Sequence, residues 1–432
     1  MSVRPILVRL HRWFGLGTAV FLFLSGLTGS IIAWHRELDA ALNPAFFYAN
    51  TSGPALPSLE LAKRVEAADP RLRVTWLPLA AEPGRTLQVL VAPRNDPHTG
   101  KPYALDFNQL AIDPTTGAVQ GRRKWGALSL SRLNLLPFLY ELHYTLYLPG
   151  TAGGLATGVW LLGFVAIVWT LDSVIALMLA FPSFKTWRKS FAFRVRRGGY
   201  PLAFDVHRSG GVWVWVLLGV IAVTSISMNL REPVVRPVLS MFSTLAPEPE
   251  SEAKPSAQPQ PQPAMLSRER VLELASAAGR QLKLRAAPGG LFFSPDRNYY
   301  AVGYFAPGDD YGDYHLGNAW TYWDATTGTQ IARTVPGVGS AGDLFLQAQF
   351  PLHSGRLFGT AGRIAISFMG VMVATLSVTG ILIWMRKRAG RRAAALQTKR
   401  EGKARRANPQ RDERPSDERS INAPRAAEPA QK

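Results

Sequence analysis

No cysteine occurs among the 432 residues. That excludes cysteine-ligated iron–sulfur clusters, thiol redox chemistry and covalent haem attachment through a CxxCH motif. An outward-facing domain of this chain must therefore rest on its own core, without disulfides. Acidic residues are also scarce: 30 Asp and Glu stand against 49 Lys and Arg, for a net charge of +19. Histidine is scarcer still, at seven. What the chain has in quantity is apolar sequence, 47% of its residues.

The apolar residues collect in four runs, about Trp13–Trp34, Ala152–Phe181, Gly210–Met228 and Gly359–Met385. Each reaches the roughly 20 residues that cross a hydrocarbon core. The first is expected to be a retained span. It is too long for a signal peptide, and no small-residue cleavage site precedes His35-Arg36-Glu37-Leu38-Asp39.

Basic residues set the orientation. Arg4, Arg9 and Arg12 precede the first run, and Lys185, Arg188, Lys189, Arg194, Arg196 and Arg197 fill the loop between the second and third. Arg386, Lys387, Arg388, Arg391 and Arg392 follow the fourth. All fall on one side if the chain runs in–out–in–out–in, with both termini cytoplasmic. Much of the positive charge is thus a topology signal beside a lipid membrane, and no nucleic-acid partner is expected. The expected segments are a cytoplasmic start and first span (1–35), an outer domain (36–150), a second span (151–184) and a basic cytoplasmic loop (185–207). A third span (208–229), a second outer domain (230–355), a fourth span (356–386) and an unstructured cytoplasmic tail (387–432) follow. Within the second outer domain, the Pro/Gln-rich run 246–264 reads as a disordered linker.

The two halves of this layout resemble each other. Tyr140–Gly154 (YELHYTLYLPGTAGG) returns as Phe350–Arg363 (FPLHSGRLFGTAGR), with His143 and His353 separated by 353 − 143 = 210 residues. Leu10-His11-Arg12-Trp13-Phe14-Gly15 has its counterpart in Val206-His207-Arg208-Ser209-Gly210-Gly211, and in both a glycine follows the histidine by four positions. Helical spacing puts that glycine on the histidine's face, so Gly15 and Gly211 leave room for a flat ring. The outer segments match too. Amphipathic helices are expected over Ser58–Ala68 and Ser267–Ala278, with strands near Leu87–Val91, Ala104–Ile112, Tyr299–Phe305 and Ala319–Trp323. Hairpin turns are expected at Asp113-Pro114-Thr115-Thr116-Gly117 and Asp324-Ala325-Thr326-Thr327-Gly328. The fold class read from this pattern is membrane α+β. Four transmembrane helices form two parallel repeats, each carrying an outer helix-plus-sheet domain, with a pseudo-twofold axis along the membrane normal.

That axis gives the histidines a meaning. Equivalent residues face one another across a twofold, so His11 meets His207 at one membrane face and His143 meets His353 at the other. Two such imidazole pairs are what two bis-histidine haems require. Zinc is a poorer fit, because it takes about four ligands and neither motif brings carboxylates or thiols. His35 fails the symmetry test, since its counterpart falls near Leu230 or Arg231, and it ranks as a less favoured ligand. Arg12, Arg208 and Arg356 stand beside the pairs as candidates for haem propionate contacts. Asp172, late in the second span, is a costly charge that marks function by default.

These motifs are similar to those of a known family. LHRWFGLGTAVFLFLSGLTGSIIAWHRELDAALNP, ELHYTLYLPGTAGG, FDVHRSGGVWVW, LHSGRLFGTAGR and the closing TGILIWMRKR carry the likeness, with IDPTTG and WDATTG resembling hairpins of PepSY-type outer domains. Over about residues 5–388 the chain resembles the PepSY-associated transmembrane family of bacterial inner-membrane proteins. The resemblance implies an iron-regulated reductase of the ferrioxamine type, which passes electrons through two haems b to a periplasmic ferric siderophore. It implies haem ligation by His11, His207, His143 and His353. It also implies periplasmic PepSY-like domains over 36–150 and 230–355. The tail has no GxGxxG and no strand–helix pattern, so the expected electron donor is a separate cytoplasmic flavin reductase or a quinol. Reduction of Fe(III) to Fe(II) loosens the metal from hard oxygen donors. The aromatic and acidic stretch Tyr299–Trp323 is the expected chelate contact, with Tyr304, Tyr311, Tyr314, His315 and Asp310 as its candidate residues. His315 with Asp309, Asp310 and Asp313 is also a candidate for transient metal binding. Two other classes remain open on the sequence: a membrane-anchored PepSY regulator of peptidases without redox activity, and a transporter with protonatable histidines.

Overall fold

A computed structural model describes residues 3–152, 155–248 and 265–407. By contacts the chain divides into a unit through Gly380 and a second from Ile381. Helix α1 (Arg4–Ile32) is followed by the short α2 (His35–Leu42) and α3 (Pro44–Phe47), then α4 (Ser58–Ala68). Strands β1 (Leu72–Pro78), β2 (Leu87–Pro93), β3 (Gln109–Ile112) and β4 (Val119–Arg123) come next. After them come α5 (Leu135–Thr145), a two-residue hairpin β5–β6 (Thr151–Ala152, Leu155–Ala156) and α6 (Thr157–Ala180).

Helices α1 and α6 are long and apolar enough to cross a membrane, as is the apolar helix late in the chain. The expected third span is different. Helix starts early, at α7 (Gly199–Asp205), passes through a π turn at Val206–Gly210, and continues through α8 (Gly211–Trp213) into α9 (Trp215–Asn229), with a 72° bend at the break. Local contacts fix where this segment begins. Buried Asp205 is gripped by Arg194 at 2.7 Å, and Ser209 donates to the Ala192 carbonyl at 2.8 Å. The basic loop, itself wound into 3₁₀ turns at Phe184–Phe191 and Val195–Arg197, thus pins the start of this segment against it. Counting the bent pair as one span gives up to four crossings.

After α9 the chain adds α10 (Arg236–Ser240), α11 (Arg268–Gln281), strands β7 (Pro288–Ser294), β8 (Tyr299–Tyr304), β9 (Ala319–Asp324) and β10 (Gln330–Thr334), and α12 (Ala341–His353). Ser267 caps α11 by accepting from the Arg270 amide. The chain before α5 and the chain after α9 thus each supply helix and four strands, but these do not stand apart. All eight strands join one antiparallel sheet in the order β10-β9-β8-β7-β1-β2-β3-β4. The join is β1 against β7, with Trp76 opposite Phe292 and Leu77 opposite Leu291. It pairs two edges that would otherwise expose rows of unsatisfied backbone groups. Leu61 and Val65 of α4 and Val271 and Ala275 of α11 bury one face of the sheet in a single core.

Both expected hairpins form. Asp113 accepts from the Thr115 and Thr116 amides, and Asp324 from those of Thr326 and Thr327. Gly117 (φ 78°) and Gly328 (φ 74°) take the left-handed position that each turn needs. Helix α13 (Gly359–Ala407) closes the described chain. The tail expected to be unstructured from 387 is helical as far as Ala407. Its Ala, Arg, Lys and Gln residues are strong helix formers. The rest of that tail, and residues 249–264 of the linker expected over 246–264, lie outside the described residues, whereas Ala246 and Glu248 are held by Asp343 and by Arg231 and Arg236.

Candidate functional site: two pairs of facing histidines

In the membrane-spanning part, Leu218 of α9 and Met369 and Val373 of α13 form a buried cluster with Leu22 of α1 and Trp169 of α6. This packing holds two imidazole pairs at opposite ends of α1. His11 faces His207 with ring centroids 6.0 Å apart, and His143 faces His353 at 6.2 Å. Gly29, which touches His143, lies about 27 Å from His11 along α1 at 1.5 Å per residue.

Hydrogen bonds set the tautomers. His143 Nδ1 lies 3.0 Å from Thr28 Oγ1, and that hydroxyl donates its own proton to the Leu24 carbonyl at 2.7 Å. His353 Nδ1 lies 3.0 Å from Thr224 Oγ1, whose proton goes to the Val220 carbonyl. His207 Nδ1 lies 3.0 Å from the Leu376 carbonyl and 3.2 Å from Thr379 Oγ1. His11 Nδ1 meets Asp172 Oδ1 at 2.9 Å. Every one of these acceptors calls for a proton on Nδ1. At His11, His143 and His353 that leaves Nε2 with its lone pair, the arrangement of a metal-ligating histidine whose other nitrogen is held by a partner.

The spacing fits one metal ion between two Nε2 atoms. A metal–nitrogen bond of about 2 Å and roughly 1 Å from nitrogen to ring centre, counted on both sides, gives about 6 Å between centroids. No group of three or more His, Asp or Glu residues suited to a metal occurs among the described residues. Two protein ligands are too few for zinc; they suit a metal that brings its own equatorial ring.

Room for such a ring is present beside His143 and His353. His143, His353 and His35 line a cavity of about 420 Å³ together with Gly26, Gly29 and Gly370. A Cβ on Gly29 would sit 3.0 Å from His143 Cε1, and one on Gly380 would sit 3.1 Å from His207 Cε1. The space expected at Gly15 and Gly211 is not distinctive: an added Cβ would make ordinary contact with Asp172 Oδ2 at 4.0 Å and with Leu376 Cδ2 at 3.8 Å. His207 stands in the π turn, so the regular helical register expected between it and Gly211 is broken. Two buried donors, Arg12 Nε and Arg208 Nε, have no hydrogen-bond partner, and neither has Ser25 Oγ in the 420 Å³ cavity. Arg356 also lines that cavity, but its guanidinium already pairs with Asp313 at 2.7 Å.

The sequence model for the PepSY-associated TM region matches residues 8–387. The chain belongs to that family. No curated protein matches it. Membership makes it a multi-pass membrane protein, in agreement with its long apolar helices.

In this PepSY-associated protein, His35 is built unlike the four paired histidines. Its Nδ1 donates to the Ile32 carbonyl at 3.0 Å, so Nε2 accepts from the Tyr311 hydroxyl at 3.2 Å. Its lone pair is occupied by a phenol. Burial pushes its pKa down to about 4, with Arg356 and Arg36 also lowering it against the raising effect of the Ile32 bond. Burial likewise pushes the Tyr311 hydroxyl above its usual range, which keeps it a donor. The fold therefore binds fewer protons at His35 than the unfolded chain, whose histidine titrates near 6.5. The stability from a neutral His35 is present above pH 6.5 and is lost as pH falls toward 4. We expect the melting midpoint in detergent to fall between pH 6.5 and 4.5, and to fall less in His35→Asn. Identical slopes for the two proteins would refute this role.

Tyr311 is the one proposed substrate residue at the cavity wall. It stacks on Phe350 with centroids 6.0 Å apart, and both rings also line a second cavity of about 1000 Å³. Asp310, Trp320, Tyr322 and Arg333 line this larger space as well, and Asp310 is paired with Arg36 at 2.7 Å. The other candidates lie elsewhere. Tyr304 is buried in the sheet core, donating to the Ala275 carbonyl at 2.7 Å. Tyr314 and His315 are exposed, away from the linings of both cavities. The proposed cluster of His315, Asp309, Asp310 and Asp313 does not assemble, because Asp310 and Asp313 are drawn off by Arg36 and Arg356.

Thr28 and Thr224 escaped the sequence reading. They are separated by 224 − 28 = 196 residues, as are His11 and His207 (207 − 11 = 196), so the repeat offset was the signal that could have found them.

Proposed function

We propose that the chain is a di-haem b oxidoreductase of the bacterial inner membrane, built from two parallel repeats with periplasmic PepSY-like domains. It passes electrons from the cytoplasmic side to a ferric siderophore outside. The observation that carries this reading is the double coincidence of facing imidazoles at 6.0 and 6.2 Å with all four Nδ1 atoms engaged. His11 and His207 would hold the inner haem, and His143 and His353 the outer one. The chemistry a haem supplies there is one-electron relay, which divides a hydrocarbon layer of ~30 Å into shorter jumps.

The chain's own residues do the rest. Thr28, Thr224, Leu376 and Asp172 hold the ligand rings in one tautomer. The unpaired Nε groups of Arg12 and Arg208 offer donors to propionates. Basic clusters flanking the spans support cytoplasmic termini. Tyr311 and Phe350 form a shared aromatic wall between the outer histidines and the larger cavity, where an iron chelate of drug-like bulk or more fits. One electron reduces one Fe(III) to Fe(II). A cytoplasmic flavin reductase or a quinol is the proposed donor.

A visible spectrum tests the reading. Protein purified from haem-replete cells should show low-spin b-type bands on dithionite reduction, with two haems per chain. A colourless preparation would sink it and leave the membrane-anchored regulator in its place.

A further inference from the structure

The four ligand histidines are not held alike. Three have neutral acceptors at Nδ1: a threonine hydroxyl at His143, another at His353, and a carbonyl with a threonine hydroxyl at His207. At His11 the Nδ1 acceptor is a carboxylate, Asp172 Oδ1 at 2.9 Å. Asp172 is almost wholly buried in α6, and no Lys or Arg pairs with it among the described residues. A carboxylate inside a spanning segment is expensive, so a structural role that a threonine performs at the other three positions does not account for it.

We propose that Asp172 is a positioning residue that makes the inner haem the weaker oxidant of the two, so that electrons run downhill from the inner to the outer pair. This rests on the di-haem reading above. An anionic acceptor on Nδ1–H draws that proton toward itself and leaves more electron density on the ring. Second-shell partners of this kind raise the basicity of a ligating imidazole. A more basic axial ligand stabilises ferric over ferrous iron, and axial ligand and second-shell hydrogen bonding are the protein's levers on potential. The outer pair has no carboxylate acceptor at either Nδ1. The sequence shows the same asymmetry: the repeat offset of 209 that relates the two GTAG words carries Thr170 onto Thr379, and carries Asp172 onto Ile381.

Potentiometric titration of the full chain in nanodiscs, followed by visible absorbance, reads this directly. The wild type should give two waves, and His11→Ala should identify the inner one by abolishing it. In Asp172→Asn the inner wave should be the lower in the wild type and move upward, while the outer wave stays. Asp172→Ser, which gives His11 the hydroxyl acceptor found at the outer pair, should bring the two waves closer together. Unmoved waves in both variants, or a shift of the outer wave alone, would overturn the proposal. Loss of the inner haem in both variants would also overturn it, and would assign Asp172 a purely structural part. Absence of haem from the wild type would instead defeat the di-haem reading itself.

Discussion

His143→Ala should remove the outer haem and spare the inner one, halving the reduced b-type absorbance per chain. The argument is local. His143 reaches its place from α5, pressed against Gly29 and tied to Thr28, and its partner His353 comes from a different helix held by Thr224. Removing one imidazole leaves a single axial ligand facing a mostly apolar cavity, and no other side chain there has a free imidazole lone pair. His35 lines the same cavity, but Tyr311 occupies its Nε2. His35→Ala should therefore keep both haems. His11→Ala should give the reverse of His143→Ala, since its pair lies at the other end of α1. The measurement is haem per chain, with the two reduced spectra compared. If His35→Ala abolished the outer signal and His143→Ala did not, the outer pairing would be wrong.

How much of this was legible in the sequence depends on whether a residue's neighbours were near in the repeat or far in the fold. His11 with His207 and His143 with His353 were readable because a recurring motif links each pair, 196 and 210 residues apart, and the structure brings each pair to about 6 Å. Helix α4 and both hairpin turns were readable because their signals are local: apolar periodicity in one case, Asp and Gly at fixed turn positions in the other. The fusion of two sheets through β1 and β7 was not. Edge pairing between strands some two hundred residues apart leaves no local mark, and β1 and β7 were not foreseen as strands at all. The early start of helix at Gly199 was hidden for a similar reason, since Asp205 and Ser209 are held by a loop that read only as a basic cluster. Tyr304 misled because its aromatic, acidic neighbourhood looked like a binding surface, whereas strand alternation turned its ring into the core. Threonine in a span carries little information alone. Thr28 and Thr224 acquire theirs only through the histidines they hold.

The largest effect on the fold is expected from Gly370→Leu. Helices α1 and α13 cross so closely at this point that a Cβ on Gly370 would run into the Gly26 carbonyl and Ser30 Oγ, and a Cβ on Gly26 would lie 2.7 Å from the Gly370 carbonyl. On the same seam, Ser30 donates to the Ser367 carbonyl at 2.9 Å and Ser367 returns a bond to Ser30 at 3.1 Å. Trp34 donates to Ser367 at 2.8 Å, and Arg363 spans from the Ala33 carbonyl to Glu37. Lipid tails are as apolar as leucine, so close packing of small residues and hydrogen bonds between helices hold such a contact together. A leucine at 370 meets backbone, which cannot swing aside as a flexible side chain can. The cost should exceed the ~1–3 kcal/mol usual for overpacking, because relief requires the helices to part and the serine bonds to open. Gly26 and Gly370 also line the cavity of the outer histidines, so the outer haem should be lost with the packing. Gly219→Leu is the matched control, since nothing lies within 4 Å of an added Cβ there. Thermal melting and haem content in detergent should be unchanged in Gly219→Leu and sharply reduced in Gly370→Leu. A Gly370→Leu protein with wild-type melting and both haems would show that α1 and α13 do not depend on this crossing.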